Sequence, residues 1–137
     1  MSHVIELVED VRSPVSHDVL AKHLRQILDA NFHQFATVEV LMTTDAKIQE
    51  LNRIHRAKDT VTDVLSFPTA IDSEQGLVVP ELTKTVYLGT IVISIPQAKR
   101  QIGHFGQDLS AEVLGLAEHG LRHLLGHDHD EDGQWKE

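Results

Sequence analysis

The chain has 137 residues, 41% of them hydrophobic, a formal net charge of −9 and no cysteine. That length and composition suit one compact domain spanning residues 1–137, and they exclude a disulfide framework or a thiolate metal site. The acidic balance argues against broad, sequence-independent adhesion to nucleic acid, which needs many cationic contacts.

Met1 to Glu6 form neither a basic leader nor an apolar run, and no stretch of roughly eighteen apolar residues occurs. Neither a signal peptide nor a membrane span is expected, and a reducing cytoplasm is compatible with the missing thiols. Residues 3–8 read as a first strand, and Asp10 to Pro14 as a turn. Ser16 suits the N-cap of a helix over 17–31, where Val19, Leu20, His23, Leu24, Ile27 and Leu28 recur at helical spacing. His17, His23 and His33 have no partner at ligand spacing and read as surface or groove residues.

Residues 37–43 are short and β-branched, the mark of a strand. Thr44 then caps a second helix, 45–55, with Ile48, Leu51 and Ile54 as its buried stripe. This helix delivers Asn52, Arg53 and Arg56 to the loop that follows. Residues 61–67 form a third strand, stopped by Pro68, which has no N–H for a ladder. Residues 69–85 lose all periodicity and read as a long loop. Residues 86–94 make a long apolar strand, and Gly89 inside it admits the close approach of another backbone or a ligand. Pro96 suits the first turn of a third helix, 96–105, ended by Gly106. Asp108 or Ser110 opens a fourth, and the acidic tail from Asp130 frays. The order β-α-β-α-β-β-α-α predicts one mixed sheet with helices against it, an α+β or α/β domain.

The fourth helix carries the chemistry. His119 and His123 are four residues apart, which puts both imidazoles on one face, one turn apart. Gly126 follows where a helix commonly ends in the left-handed conformation, and His129 comes three residues later, able to swing back. Three protein ligands and one open position make a catalytic zinc site. A single histidine would read as a satisfied core or surface residue; three at this spacing favour a metal. On a helical wheel Val113, Leu114, Ala117, Leu121, Leu124 and Leu125 form the packing arc, and the two histidines lie nearly opposite. His127, beyond the turn, ranks below His129 as a ligand.

The spacing matches the zinc helix of metalloproteases with one omission. Those enzymes place a glutamate directly after the first histidine as general base, and here that position is Gly120. Glu118 is about 100° round the helix from His119 and does not replace it. Peptide hydrolysis is therefore disfavoured, while polarising a phosphoryl or carbonyl oxygen remains open. Lys47, Arg53, Arg56 and Lys58, with His55 among them, form a small basic edge; if RNA binds, it should use that edge.

The stretch Glu118 to His129 resembles the signature H-G-x-L-H-L-x-G-[YH]-D-H of the YbeY family of bacterial endoribonucleases. Leu51 to Arg56 with Thr62 to Pro68 is similar to that family's L-N-x-x-[YH]-R…T-D-V-L-S-F-P, and Leu88 to Ser94 to its L-G-D-I-x-I-S strand. Order and spacing agree over most of the chain. Arg122 stands where the family has leucine, and Thr90 where it has aspartate. Arg122, at the edge of the apolar arc, can snorkel.

The resemblance implies an α+β fold with a small mixed sheet of about four strands. It also implies a single-strand-specific, metal-dependent endoribonuclease acting in ribosomal RNA maturation and ribosome quality control. One zinc ion per chain on His119, His123 and His129 is expected, with ribosomal RNA of the small subunit and ribosome-assembly proteins as partners. Arg56 matches the family arginine and is the catalytic candidate, since a guanidinium grips phosphate oxygens through two parallel hydrogen bonds. Arg53 and Lys58 join it as substrate-binding candidates. Asp63 reads as a backbone cap and Ser66 as a sheet-lining residue. The general base stays open between metal-activated water, Asp128 and His127. The alternatives are a metal-dependent hydrolase of another substrate and a non-catalytic ribosome-assembly factor with structural zinc. The open fourth position counts against the second.

Overall fold

The computed structural model describes residues 3–68 and 86–126. Among them the elements follow the expected order: β1 (Val4–Glu9), α1 (His17–Asn31), β2 (Ala36–Thr43), α2 (Asp45–Arg56), β3 (Val64–Phe67), β4 (Val86–Ser94), α3 (Ile95–Arg100) and α4 (Leu109–Leu124). The expected loop over 69–85 lies outside the described residues, as does the acidic tail. No helix among the described residues is long and apolar enough to cross a membrane.

Helix starts follow local chemistry. Ser16 Oγ accepts from Val19 N at 3.2 Å, Thr44 Oγ1 from Lys47 N at 3.2 Å, and Asp108 Oδ1 from Ala111 N at 2.9 Å, each satisfying a first-turn donor. Asp108 rather than Ser110 is therefore the cap of α4. The Ser110 hydroxyl instead donates to Pro14 O.

Three boundaries or faces differ from expectation. β3 begins at Val64, not 61, because Asp63 turns inward: its Oδ1 accepts from Val64 N at 2.8 Å and its carbonyl from Ser94 N at 3.0 Å. α3 ends at Arg100, five residues early, because Gln101 leaves the helical region and Gly103 takes φ 107°. In α2 the buried stripe is Ile48, Leu51 and Asn52, while Ile54 is 55% exposed. The Asn52 amide offsets its burial by donating to Thr60 O at 3.0 Å.

The four strands form one sheet in the order β1-β2-β4-β3. β1 pairs with β2 and β2 with β4 in parallel, and β3 runs antiparallel to β4. The central strands are buried on both faces, which suits their near-continuous apolar runs. Val38, Val40, Met42, Ile91 and Ile93 face α1 and α4 in the larger core. Leu65, Phe67 and Val92 face Ile48 and Leu51 of α2 on the opposite side. β3 is an edge strand of only four residues. Helices on opposite faces of the sheet can therefore reach each other around it.

Candidate functional site

A cleft of about 460 Å³ lies at this edge, lined by His55, Arg56, Lys58, Ser66, Phe67, Pro68, His123 and Leu124. It joins the C-terminal end of α2 to the C-terminal end of α4. One turn, at the end of α2, presents its cationic wall. Arg56 is the last residue of α2, and Ala57 caps the helix in the left-handed region at φ 59°. Ala57 N and Lys58 N both donate to Asn52 O, which reverses the chain so that Arg56 and Lys58 face the same space. Arg56 Nη2 approaches Ser66 O at 3.5 Å. The His55 ring stands edge-on to Phe67, centroids 5.0 Å apart.

The opposite wall belongs to α4. The rings of His119 and His123 are 4.3 Å apart between centroids, tilted by 54°. Helical spacing thus brings the two imidazoles together as expected. The wheel, however, erred about their setting: His123 is only 2% exposed, and His119 is half-buried. The wheel assumes one packing face, whereas α4 touches β3, β4, α1 and α3 together. Leu116 and Glu112 are accordingly buried, although neither fell in the apolar arc, and Leu114, Leu124 and Leu125 are only partly covered.

Gly120 explains the missing protease glutamate. A Cβ there would lie 2.7 Å from Ile91 Cγ2 and 3.0 Å from Ser66 Oγ, so α4 sits on the sheet where no side chain fits. Gly89 acts similarly behind the cleft. Its φ is 143°, and a Cβ would meet Phe67 O at 2.1 Å and Leu124 Cδ2 at 2.9 Å. It is the approach of another backbone that requires this glycine, at the register shift in the pairing of β2 with β4.

The remaining candidates divide as follows. Arg56 and Lys58 line the cleft with His123; Arg53 is exposed and is not among the lining residues. Asp63 caps the backbone of β3, and Ser66 is buried with its hydroxyl donating to Gly120 O. Both Asp63 and Ser66 thus hold structure, as expected. His127, Asp128 and His129 lie outside the described residues, and no group of three metal-binding side chains occurs among those described.

The two departures from the family signature are accommodated. Arg122 Nη2 pairs with Glu118 Oε2 at 2.9 Å while His23 Nε2 meets Glu118 Oε1 at 3.1 Å. Burial pushes the Glu118 carboxyl up, but the bonds from Arg122 and His23 outweigh it and hold it below the usual range. Thr90 lies on the sheet face away from Ile91 and α4; its hydroxyl meets Tyr87 OH at 2.7 Å and donates to Glu39 Oε1 at 3.2 Å. Burial first, and then the Glu39 charge, raise the Tyr87 hydroxyl above its ordinary value against the opposing bond to Thr90.

A metal can be tested against the residues present. Zinc binds imidazole nitrogen at about 2.0–2.1 Å. Rings 4.3 Å apart are within the span one such ion bridges, and nitrogen donors suit it. The pair fits two ligands of a zinc site.

These features define a small α+β domain in which a histidine-paired helix end faces a cationic cleft across a short edge strand. Residues 7–137 match the family model described as endoribonuclease YbeY. The chain belongs to that family. Among its relatives is an endoribonuclease YbeY of Thermus thermophilus, 37% identical over 137 residues, covering 97% of this chain and 91% of that protein. The YbeY endoribonuclease of Gloeobacter violaceus is 46% identical over 95 residues, covering 69% of this chain, which spans 47% of that protein's length. The fold is shared with the solution structure of TM1509 from Thermotoga maritima, at a TM-score of 0.59 and 22% identity, covering 96% of this chain and 79% of that one.

Proposed function

We propose that the chain acts as one domain, a metal-dependent endoribonuclease that cuts single-stranded RNA in ribosomal RNA maturation, in the cytoplasm. His119, His123 and His129 would hold one zinc ion. Bound there, zinc supplies a Lewis acid for a phosphoryl oxygen and lowers the pKa of water. Arg56 grips the phosphate undergoing cleavage, and its fixed fork of donors opposes the charge that accumulates on phosphorus. Lys58 holds the same or the adjoining phosphate as a point charge, and Arg53 contacts the strand further out. The walls of the cleft keep the strand between the two helix ends. Ribosomal RNA of the small subunit is the substrate class, and ribosome-assembly proteins are the partners expected.

The observation that carries this reading is that Arg56 at the end of α2, Lys58 in the turn after it and His123 of α4 line one cleft although the two helices lie on opposite faces of the sheet. Purified protein should cut single-stranded RNA with zinc present, and chelation or His123→Ala should abolish the cut. Cleavage that survives both treatments would remove the metal from the account.

A further inference from the structure

The segment between α3 and α4 carries an arrangement that the cleft itself does not use. Glu112 in the first turn of α4 is 0% exposed. Its Oε1 accepts from Phe105 N at 2.8 Å and Gly106 N at 3.1 Å, and its Oε2 from Gln101 Nε2 at 3.0 Å. Gln101 Nε2 also donates to Asp63 Oδ2 at 3.1 Å. A polar relay thus runs from the start of β3, through Gln101, to α4. It ends on the backbone of Phe105.

Phe105 leans on the metal helix. A Cβ on Gly115 would lie 2.4 Å from Phe105 Cβ, so the phenyl group enters a notch that this glycine leaves open. One turn further along, its ring is 5.8 Å from that of His119, tilted by 41°. Phe105 is 40% exposed. Apolar burial alone holds so exposed a ring weakly; its backbone is held by the buried carboxylate instead. Burial pushes that carboxyl up, but the donors around it outweigh burial and keep it ionised.

We infer that Glu112 is a positioning residue for the metal site: by anchoring the backbone of Phe105 and Gly106 it clamps the Phe105 ring against His119 and fixes that imidazole's orientation. The inference rests on the zinc reading above. Loss of a group that orients a ligand typically costs about 10–100-fold in metal affinity. The chain from Glu112 is longer than one contact, so the lower end, about tenfold, is expected.

The test compares Glu112→Leu, Phe105→Ala and Phe105→Tyr in the full chain. Zinc affinity is read by chelator competition, and the His119 ring signals by NMR in metal-free protein. Glu112→Leu leaves no acceptor for Phe105 N and Gly106 N, so the anchor fails, whereas a glutamine would keep a carbonyl oxygen for both. Its His119 signals should move the same way as in Phe105→Ala, and zinc affinity should fall about tenfold in both. Phe105→Tyr keeps the ring and should retain wild-type values in both readouts. Folded Glu112→Leu protein with wild-type His119 signals and zinc affinity overturns the inference, even if its melting temperature drops. If Glu112→Leu does not fold, unchanged His119 signals and affinity in Phe105→Ala overturn it equally. Wild-type protein that takes no zinc strikes the metal reading alone, and the metal-free NMR comparison still decides this one.

Discussion

The Ser66 hydroxyl donates to the main-chain carbonyl of Gly120 at 3.0 Å, which ties the edge strand β3 to the helix between its two histidines. The contact exists because Gly120 has no side chain. Gly120→Ala places a methyl 2.7 Å from Ile91 Cγ2, in a core where Ile91 is fully buried. Overpacking of this kind costs about 1–3 kcal/mol, against about 1 kcal/mol gained in helix propensity. A net loss near 1 kcal/mol in urea denaturation is expected, with a larger proportional loss of RNA cleavage, because the histidine-bearing helix must shift. A variant more stable than wild type would show that α4 does not rest on the sheet here.

Two glycines with positive φ should respond differently to alanine. At Gly89 a methyl would meet the Phe67 carbonyl oxygen at 2.1 Å and Pro68 Cα at 2.9 Å, both backbone atoms that cannot step aside. At Gly126, φ 82°, no atom of the described residues lies within 4 Å of the added methyl. Gly126→Ala therefore costs only the left-handed penalty of about 1–2 kcal/mol. Gly89→Ala adds a backbone clash and should lose about 3 kcal/mol or more. Thermal unfolding of the two variants side by side checks the order, and equal losses would contradict it.

Much of this was legible in the chain. The caps Ser16 and Thr44 announce themselves because capping is local, and the pairing of His119 with His123 follows from helical spacing alone. What was hidden depends on contacts distant in sequence. Ile54 and Asn52 both lie near the buried face of α2; hydropathy chose Ile54, but the Asn52 amide finds Thr60 and takes the interior place. The burial of Glu112 has no local signal, since nothing nearby shows that a tight turn at Gly103 would aim the N–H groups of Phe105 and Gly106 at it. The turn itself was concealed by Gly106, which seemed the natural end of α3. The meeting of Arg56 with His123 follows from the topology, because only an edge position for β3 lets α2 and α4 close around it. No periodicity encodes that.

Stability should fall in acid partly through Glu118. Burial raises its carboxyl, yet bonds from Arg122 and His23 prevail, so its folded value lies below its unfolded one, which is about 4.3. A depressed carboxyl contributes stability that is present above the unfolded value and is lost as pH falls through the folded one. The contribution is small, because the carboxylate and Arg122 are each about one-third exposed. Glu118→Gln should flatten the acid limb of the stability–pH curve below about pH 4.3 and lower stability slightly at neutral pH. Denaturation midpoints between pH 3 and 7 measure this. An acid limb as steep as that of wild type would assign the dependence to other carboxylates, Glu112 first among them.

The three cationic candidates should separate in their effects on cleavage. Arg56 lines the cleft beside Ser66 and shares it with His123, so on the proposed reading it would face the charge that develops on the phosphoryl oxygens. Removing a donor aimed at such charge costs about 10²–10³ in kcat. Arg56→Ala should reach that range, and Arg56→Lys should recover little, because a point charge does not replace the planar fork. Lys58 also lines the cleft but points from a turn rather than a helix. Lys58→Ala should weaken binding several-fold and reduce the salt dependence of RNA affinity by about one ion. Arg53 is exposed outside the lining and should show the least effect on kcat. Single-turnover rates with affinities at several salt concentrations resolve the three. If Arg53→Ala slowed cleavage as much as Arg56→Ala, the reacting phosphate would have to sit outside this cleft, along the outer face of α2.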